Sequence, residues 1–67
     1  MDYTSEELTE AKRQIDSIVH KLQAAVQSLE RKEHPERLKT QITLARRRIA
    51  ALELSRFLIQ QELEKSP

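Results

Sequence analysis

Apolar residues recur at alternating intervals of three and four on both sides of a central segment that contains Pro35. Before that segment the series is Leu8, Ala11, Ile15, Ile18, Leu22, Ala25 and Leu29. After it the series is Leu38, Ile42, Ala45, Ile49, Leu52, Ile59 and Leu63, with Arg56 in the one polar position. This spacing is typical of a helix with a single apolar stripe. Folded back at Pro35, the two series pair from Leu29 with Leu38 to Leu8 with Ile59. The pattern therefore predicts an all-α fold, a two-helix antiparallel hairpin that resembles a coiled coil.

The predicted hairpin is one unit spanning residues 1–67, with helix 1 at about 5–33, a turn at about 33–35 and helix 2 at about 35–65. Pro35 cannot continue a helix from its N-terminal side, because it lacks the backbone donor and crowds the preceding turn. The alternative is one long kinked helix. The heptad continued beyond helix 1 meets mainly polar residues, so the hairpin is favoured.

The start of helix 1 is marked by two local signals. Thr4 and Glu7 have the spacing of a capping box, in which each side chain bonds the backbone N–H of the other. Tyr3 and Leu8 stand where a hydrophobic staple would place two contacting apolar residues. Both signals predict a helix that begins directly after Thr4.

The composition argues for an intracellular protein. The chain has no cysteine, so it has neither a disulfide framework nor thiolate metal ligands. Its N-terminus, which begins Met1-Asp2, is acidic and polar, unlike the basic start of a signal peptide. No run approaches the roughly 20 apolar residues of a membrane span. We predict a cytoplasmic protein without membrane contact.

Helix 2 carries a second apolar stripe on the side opposite its seam. Its members recur at intervals of seven, three, three and one: Leu44, Ala51, Leu54, Phe57 and Leu58. A helix that is apolar on two faces is typically covered on both. We assign this stripe, together with Val19 and Val26 on the flank of helix 1, to an oligomer or partner interface.

Charge separates along the predicted rod, although the net charge of the chain is only +1. Residues 21–48, which form the turn end, hold eight basic and three acidic residues, a net charge of +5. The remaining residues, at the end with both termini, hold four basic and eight acidic residues, a net charge of −4. A second copy docked head to tail would set the acidic end beside the basic end. The sequence thus predicts a twofold antiparallel homodimer with four helices; the alternative is a larger protein partner.

The basic residues at the turn end support a second hypothesis, a small nucleic-acid-binding regulator. The candidate phosphate contacts are Arg31, Lys32, Arg37, Lys39, Arg46, Arg47 and Arg48. A dimer of helical hairpins resembles in architecture the Rop-like plasmid regulators, which bind RNA loops. Against this reading, Tyr3 and Phe57 are the only aromatic residues, so no platform for stacking bases is present. A solvated surface that orients the dimer is the favoured interpretation.

Catalytic chemistry has little support in the sequence. Residues 12–18 resemble the opening helix of the all-helical chorismate mutases, which runs Arg-x-x-Ile-Asp-x-Ile-Asp. Lys12 stands at the position of that family's catalytic arginine, and Val19 stands at the second aspartate. His20 follows Asp16 by four residues, but nothing in the spacing completes a metal site. We predict no catalytic residue, no cofactor and no metal, and an interaction protein without enzymatic activity.

The polar residue within the seam, Arg56, is expected to face Ala11. The small alanine leaves space for the arginine stem along the seam, while the guanidinium reaches solvent or a carboxylate such as Glu7 or Glu10. Lys12 and Glu53 are expected to form a favourable pair on one edge of the hairpin. We interpret Arg56 as a residue that sets the register of the two helices.

Overall fold

The computed structural model of the protein, which describes residues 3–65, is a helical hairpin. Helix α1 (Ser5–Glu30) is followed by a short 3-10 helix (Pro35–Leu38) and by helix α2 (Lys39–Lys65). The two long helices pack side by side in a rod of 51 × 14 × 14 Å. The prediction of an all-helical hairpin is therefore confirmed, whereas residues 1, 2, 66 and 67 of the predicted unit lie outside the described residues.

Helix α1 begins with the predicted capping box. The hydroxyl of Thr4 accepts a hydrogen bond from the backbone N–H of Glu7 at 3.1 Å. In return, the backbone N–H of Thr4 donates to the Glu7 carboxylate, also at 3.1 Å. Leu8 is buried one turn further along. The reciprocal bonds satisfy two backbone donors that would otherwise lack partners at a helix end.

Replacement of Thr4 by alanine should destabilise the hairpin by about 1 kcal/mol, the usual cost of losing an N-cap side chain. Thr4→Ser keeps the hydroxyl and should retain most of that stability. Urea unfolding followed by circular dichroism measures both variants. Equal stability of the alanine and serine variants would contradict a role for the capping bond.

The turn is longer than the sequence predicted. Helix α1 ends at Glu30 rather than at about residue 33, and the N–H of Lys32 bonds the carbonyl of Leu29 at 3.3 Å in a tighter turn. Pro35 disfavours helical geometry at the residue before it, and His34 has non-helical angles of φ −126° and ψ 71°. The proline then opens the 3-10 helix as its first residue, at the position where helix 2 was predicted to begin, and α geometry follows from Lys39.

Helix α2 packs on α1 through the face that its spacing predicted. Ala45 is buried at 9% exposure. The other members of the series are half-buried: Leu38, Ile42, Ile49, Leu52, Arg56, Ile59 and Leu63. The prediction of the α2 seam is therefore confirmed. Arg56 takes part in it as a residue with an apolar stem and a charged end.

Helix α1 follows most of the predicted line: Leu8 is buried, and Ala11, Ile15, Leu22 and Leu29 are half-buried. Two layers differ. Val19 and Val26 are buried at 5% and 7% exposure, whereas Ile18 is 45% exposed and Ala25 is also exposed. Two valines carry more apolar surface than an isoleucine and an alanine, so their burial removes more of it from water.

The burial of these two valines corrects one part of the sequence interpretation. Val19 and Val26 were assigned to an outer interface, but they pack within the chain against α2 and have little surface left for a partner. Ile18 and Ala25 take their place on the surface. The error arose because α1 has apolar residues at two adjacent positions twice, and periodicity alone does not decide between the two phases.

Neither helix of the described chain holds a stretch that is both long and apolar enough to cross a bilayer.

Candidate interaction interface

Arg56 connects the two helices through a carboxylate that the sequence interpretation did not choose. Its Nη1 donates to Oδ1 of Asp16 at 2.8 Å, and its Nη2 lies 3.8 Å from Oε2 of Glu53. The hydrogen bond that Arg56 donates to Asp16, reinforced by the negative charge of that carboxylate, raises the pKa of Arg56 above the usual value. The guanidinium therefore stays charged and holds the middle of α1 to the second half of α2.

The expected partners of Arg56, Glu7 and Glu10, are engaged elsewhere. Glu7 completes the capping box at the start of α1. Glu10 accepts hydrogen bonds from Gln14 at 2.8 Å and from Arg13 at 2.7 Å, and these bonds lower the pKa of its carboxyl group. Both carboxylates thus bond within the first turns of α1, which corrects the expectation from sequence.

One flank of the hairpin, which we call the polar flank, carries further contacts between the helices. Nζ of Lys12 donates to Oε1 of Gln60 at 2.7 Å, rather than meeting Glu53 as expected. Near the turn, Arg46 binds the carboxylate of Glu30. The polar flank comprises Lys12, Asp16, Glu30, Arg46, Arg56 and Gln60. These contacts bridge α1 and α2 along one flank and leave the opposite side of α2 without contacts to α1 in the described chain.

That opposite side, the outer face of α2, holds the second apolar stripe. Leu54, Phe57 and Leu58 are each more than half exposed, and Leu44 is 46% exposed. Ala51 is exposed between them. Large apolar side chains that lie together on one face of a surface helix are typical of an interaction site. The exposure agrees with the predicted position of the stripe, and its role as an interface stays a prediction.

The basic residues lie at the turn end, where the hairpin places them together. All seven are exposed: Arg31, Lys32, Arg37, Lys39, Arg46, Arg47 and Arg48. Lys39, Arg47 and Leu44 border a shallow depression of about 290 Å³ with two threonines. The basic end is therefore continuous with the outer face of α2, and a partner on that face would meet both surfaces. Phosphate binding by these residues stays a prediction.

Residues 3–65 contain no group of three or more His, Asp or Glu side chains that could hold a metal ion. His20 is exposed on α1, and His34 lies 3.4 Å from Glu36 beside the turn. Both histidines thus lie at the surface.

The fold and the surface together define a class, a helical hairpin protein with an exposed apolar face on its second helix. A comparison with protein-family models, with curated proteins and with solved structures finds no significant match to this chain.

Proposed function

We propose that this protein is a small helical-hairpin interaction protein that associates with itself through the outer face of α2. The assembly is an antiparallel homodimer with four helices, and the protein acts by association rather than by catalysis. One observation carries this proposal: Leu54, Phe57 and Leu58 are more than half exposed on a helix whose other face already packs on α1.

The small core of the hairpin supports a need for further burial. Among the described residues, four side chains are buried, and none of them falls below 2% exposure: Leu8, Val19, Val26 and Ala45. A unit of this size without disulfides or a metal seldom buries enough apolar surface on its own. Small domains commonly gain this burial by association, because a partner covers a second apolar face without a longer chain.

The surface area of the hairpin is large enough for a stable dimer. A specific interface buries about 1,200 Å² or more in total, which is about 600 Å² from each partner. The described chain exposes 5507 Å², so roughly a tenth of its surface would be used. Helix α2 has 27 residues, and a helix of that length is about 40 Å long. A contact along most of α2 is therefore sufficient.

The charges of α2 favour a second copy of the chain as the partner. Its first ten residues, 39–48, hold four basic and no acidic residues. Residues 53–65 hold three acidic and two basic residues. An antiparallel copy places the basic half of one α2 against the acidic half of the other. A parallel copy would instead bring two clusters of arginine together, which like-charge repulsion disfavours.

The mass of the protein in solution tests this proposal. One chain has a mass of 7.9 kDa, and sedimentation equilibrium over a range of concentrations should return twice that mass, falling towards one chain on dilution. A folded monomer at all concentrations, with helicity by circular dichroism equal to that of the hairpin, would overturn it.

A further inference from the structure

We infer that the second copy docks on α2 in one antiparallel register, in which Ala51 of each copy packs against Leu54 of the other. The inference rests on the proposed self-association and adds the partner residue that each position meets. It follows from the spacing of the residues on the outer face and from the positions of the arginines.

The outer face of α2 contains a line of residues with the 3-4 spacing of a coiled-coil seam. The line is Leu44, Arg47, Ala51, Leu54, Leu58, Gln61 and Lys65, and each of these residues is exposed. In a coiled coil, such residues meet in layers, and a small residue opposite a large one keeps the helices at an even distance. The line consists of two sets of residues spaced seven apart: Leu44, Ala51, Leu58 and Lys65, and Arg47, Leu54 and Gln61. In an antiparallel pair, each residue of one set faces a residue of the other set. In the register proposed here, Ala51 faces Leu54.

Arg47 decides the orientation, because it is the charged residue inside this line, between Leu44 and Ala51. A parallel pair would set Arg47 of one copy directly against Arg47 of the other, with Arg46 and Arg48 close by. An antiparallel pair sets it against Leu58, along which its aliphatic stem can lie while the guanidinium reaches water. The same residue that interrupts the apolar line thus selects the antiparallel arrangement.

Two conditions select the register: the length over which the two α2 helices overlap, and the absence of like-charge pairs between them. Pairing Ala51 with Leu54 centres the contact near Leu52, the middle of α2, so that almost the whole helix is covered. Sliding one copy by a heptad in one direction brings Arg48 of both copies together at the axis. Sliding it in the other direction sets Arg47 against Lys65. Both alternatives shorten the contact and add a like-charge pair.

The edges of the chosen register are complementary. On one edge Arg48 lies between Ser55 and Glu62 of the second copy, and its long side chain can reach the Glu62 carboxylate, a pair that the twofold axis repeats. Phe57 lies beside Ala50 of the second copy on the other edge, so the exposed ring gains an apolar neighbour.

Crosslinking tests the register cleanly, because the chain has no cysteine of its own. In this register Leu44 meets Gln61 of the second copy, whereas the two copies of Leu44 lie about 26 Å apart along the axis. An equal mixture of Leu44→Cys and Gln61→Cys, treated with a short bismaleimide, should yield the mixed dimer. Each variant alone should stay uncrosslinked. Ala24→Cys, exposed on the far side of α1, is the control and should crosslink with neither.

Efficient crosslinking of Leu44→Cys with itself would overturn the antiparallel orientation. Absence of the mixed dimer, while both variants still sediment as dimers, would overturn the register but leave the proposed function standing. A wild-type protein that sediments as a monomer removes the proposed function itself, so the two failures are distinguishable.

Discussion

Replacement of Val19 by aspartate is expected to unfold the hairpin. Val19 is the most buried residue of the described core, with 5% exposure. None of the buried residues described is charged, so none can pair with a carboxylate at this position. An unpaired charge in such a place costs several kcal/mol. Proteins of this length are stabilised by only about 3–10 kcal/mol. The substitution therefore removes most or all of the net stability.

The matched control for that variant is Ser17→Asp, which adds the same carboxylate two residues earlier. Ser17 is exposed on the side of α1 away from α2, so its replacement should change stability by less than about 0.5 kcal/mol. Thermal unfolding followed by circular dichroism compares the two. A Val19→Asp protein that melts at the wild-type temperature would show that α1 packs through another line of residues.

The second large effect concerns the outer face of α2. Leu54→Glu combined with Leu58→Glu should convert the dimer into a monomer that is less stable than the wild-type assembly. Each dimer would lose four leucines from its contact. Each is 54–60% exposed in the hairpin, so its burial in the dimer contributes about half of the 1.5–3 kcal/mol of full burial. The total of about 3–6 kcal/mol corresponds to a dissociation constant raised on the order of a hundredfold to ten-thousandfold. Sedimentation equilibrium should then return the 7.9 kDa of one chain.

A control with equal charge is available on α1. Ser17→Glu combined with Ala24→Glu changes two exposed residues on the side of α1 opposite the seam, and this variant should remain a dimer. If the α2 variant sediments like the control, the outer face of α2 is not the contact. Helicity measured by circular dichroism on both variants shows whether a lower mass in sedimentation equilibrium comes from dissociation of the dimer or from unfolding of the hairpin.

Local signals in the sequence were the most reliable guides to this fold. Thr4 and Glu7 form the capping box that their spacing predicts, because the partners are three residues apart and the helix itself brings them together. The α2 seam around Ala45 was likewise readable, since α2 has one clear apolar line facing α1. The exposed position of the outer stripe, including Leu54 and Leu58, follows from the same periodicity.

Contacts between the helices were less predictable. The carboxylate that binds Arg56 had several candidates at the level of sequence. The structure shows Asp16 in that position, while Glu7 and Glu10 bond within α1. The end of α1 was also placed too late. Pro35 acts on the residue before it, but how many residues the turn requires depends on where α2 docks.

The sequence by itself determined that this chain forms two helices joined at Pro35, where α1 starts, and that α2 is apolar on two faces. These features depend on backbone chemistry and on spacing within one helix. Only the tertiary structure decided that Val19 and Val26, rather than Ile18 and Ala25, face α2. The rotation of one helix against another is set by the total apolar surface that both remove from water, and that sum depends on the packed pair rather than on either helix alone.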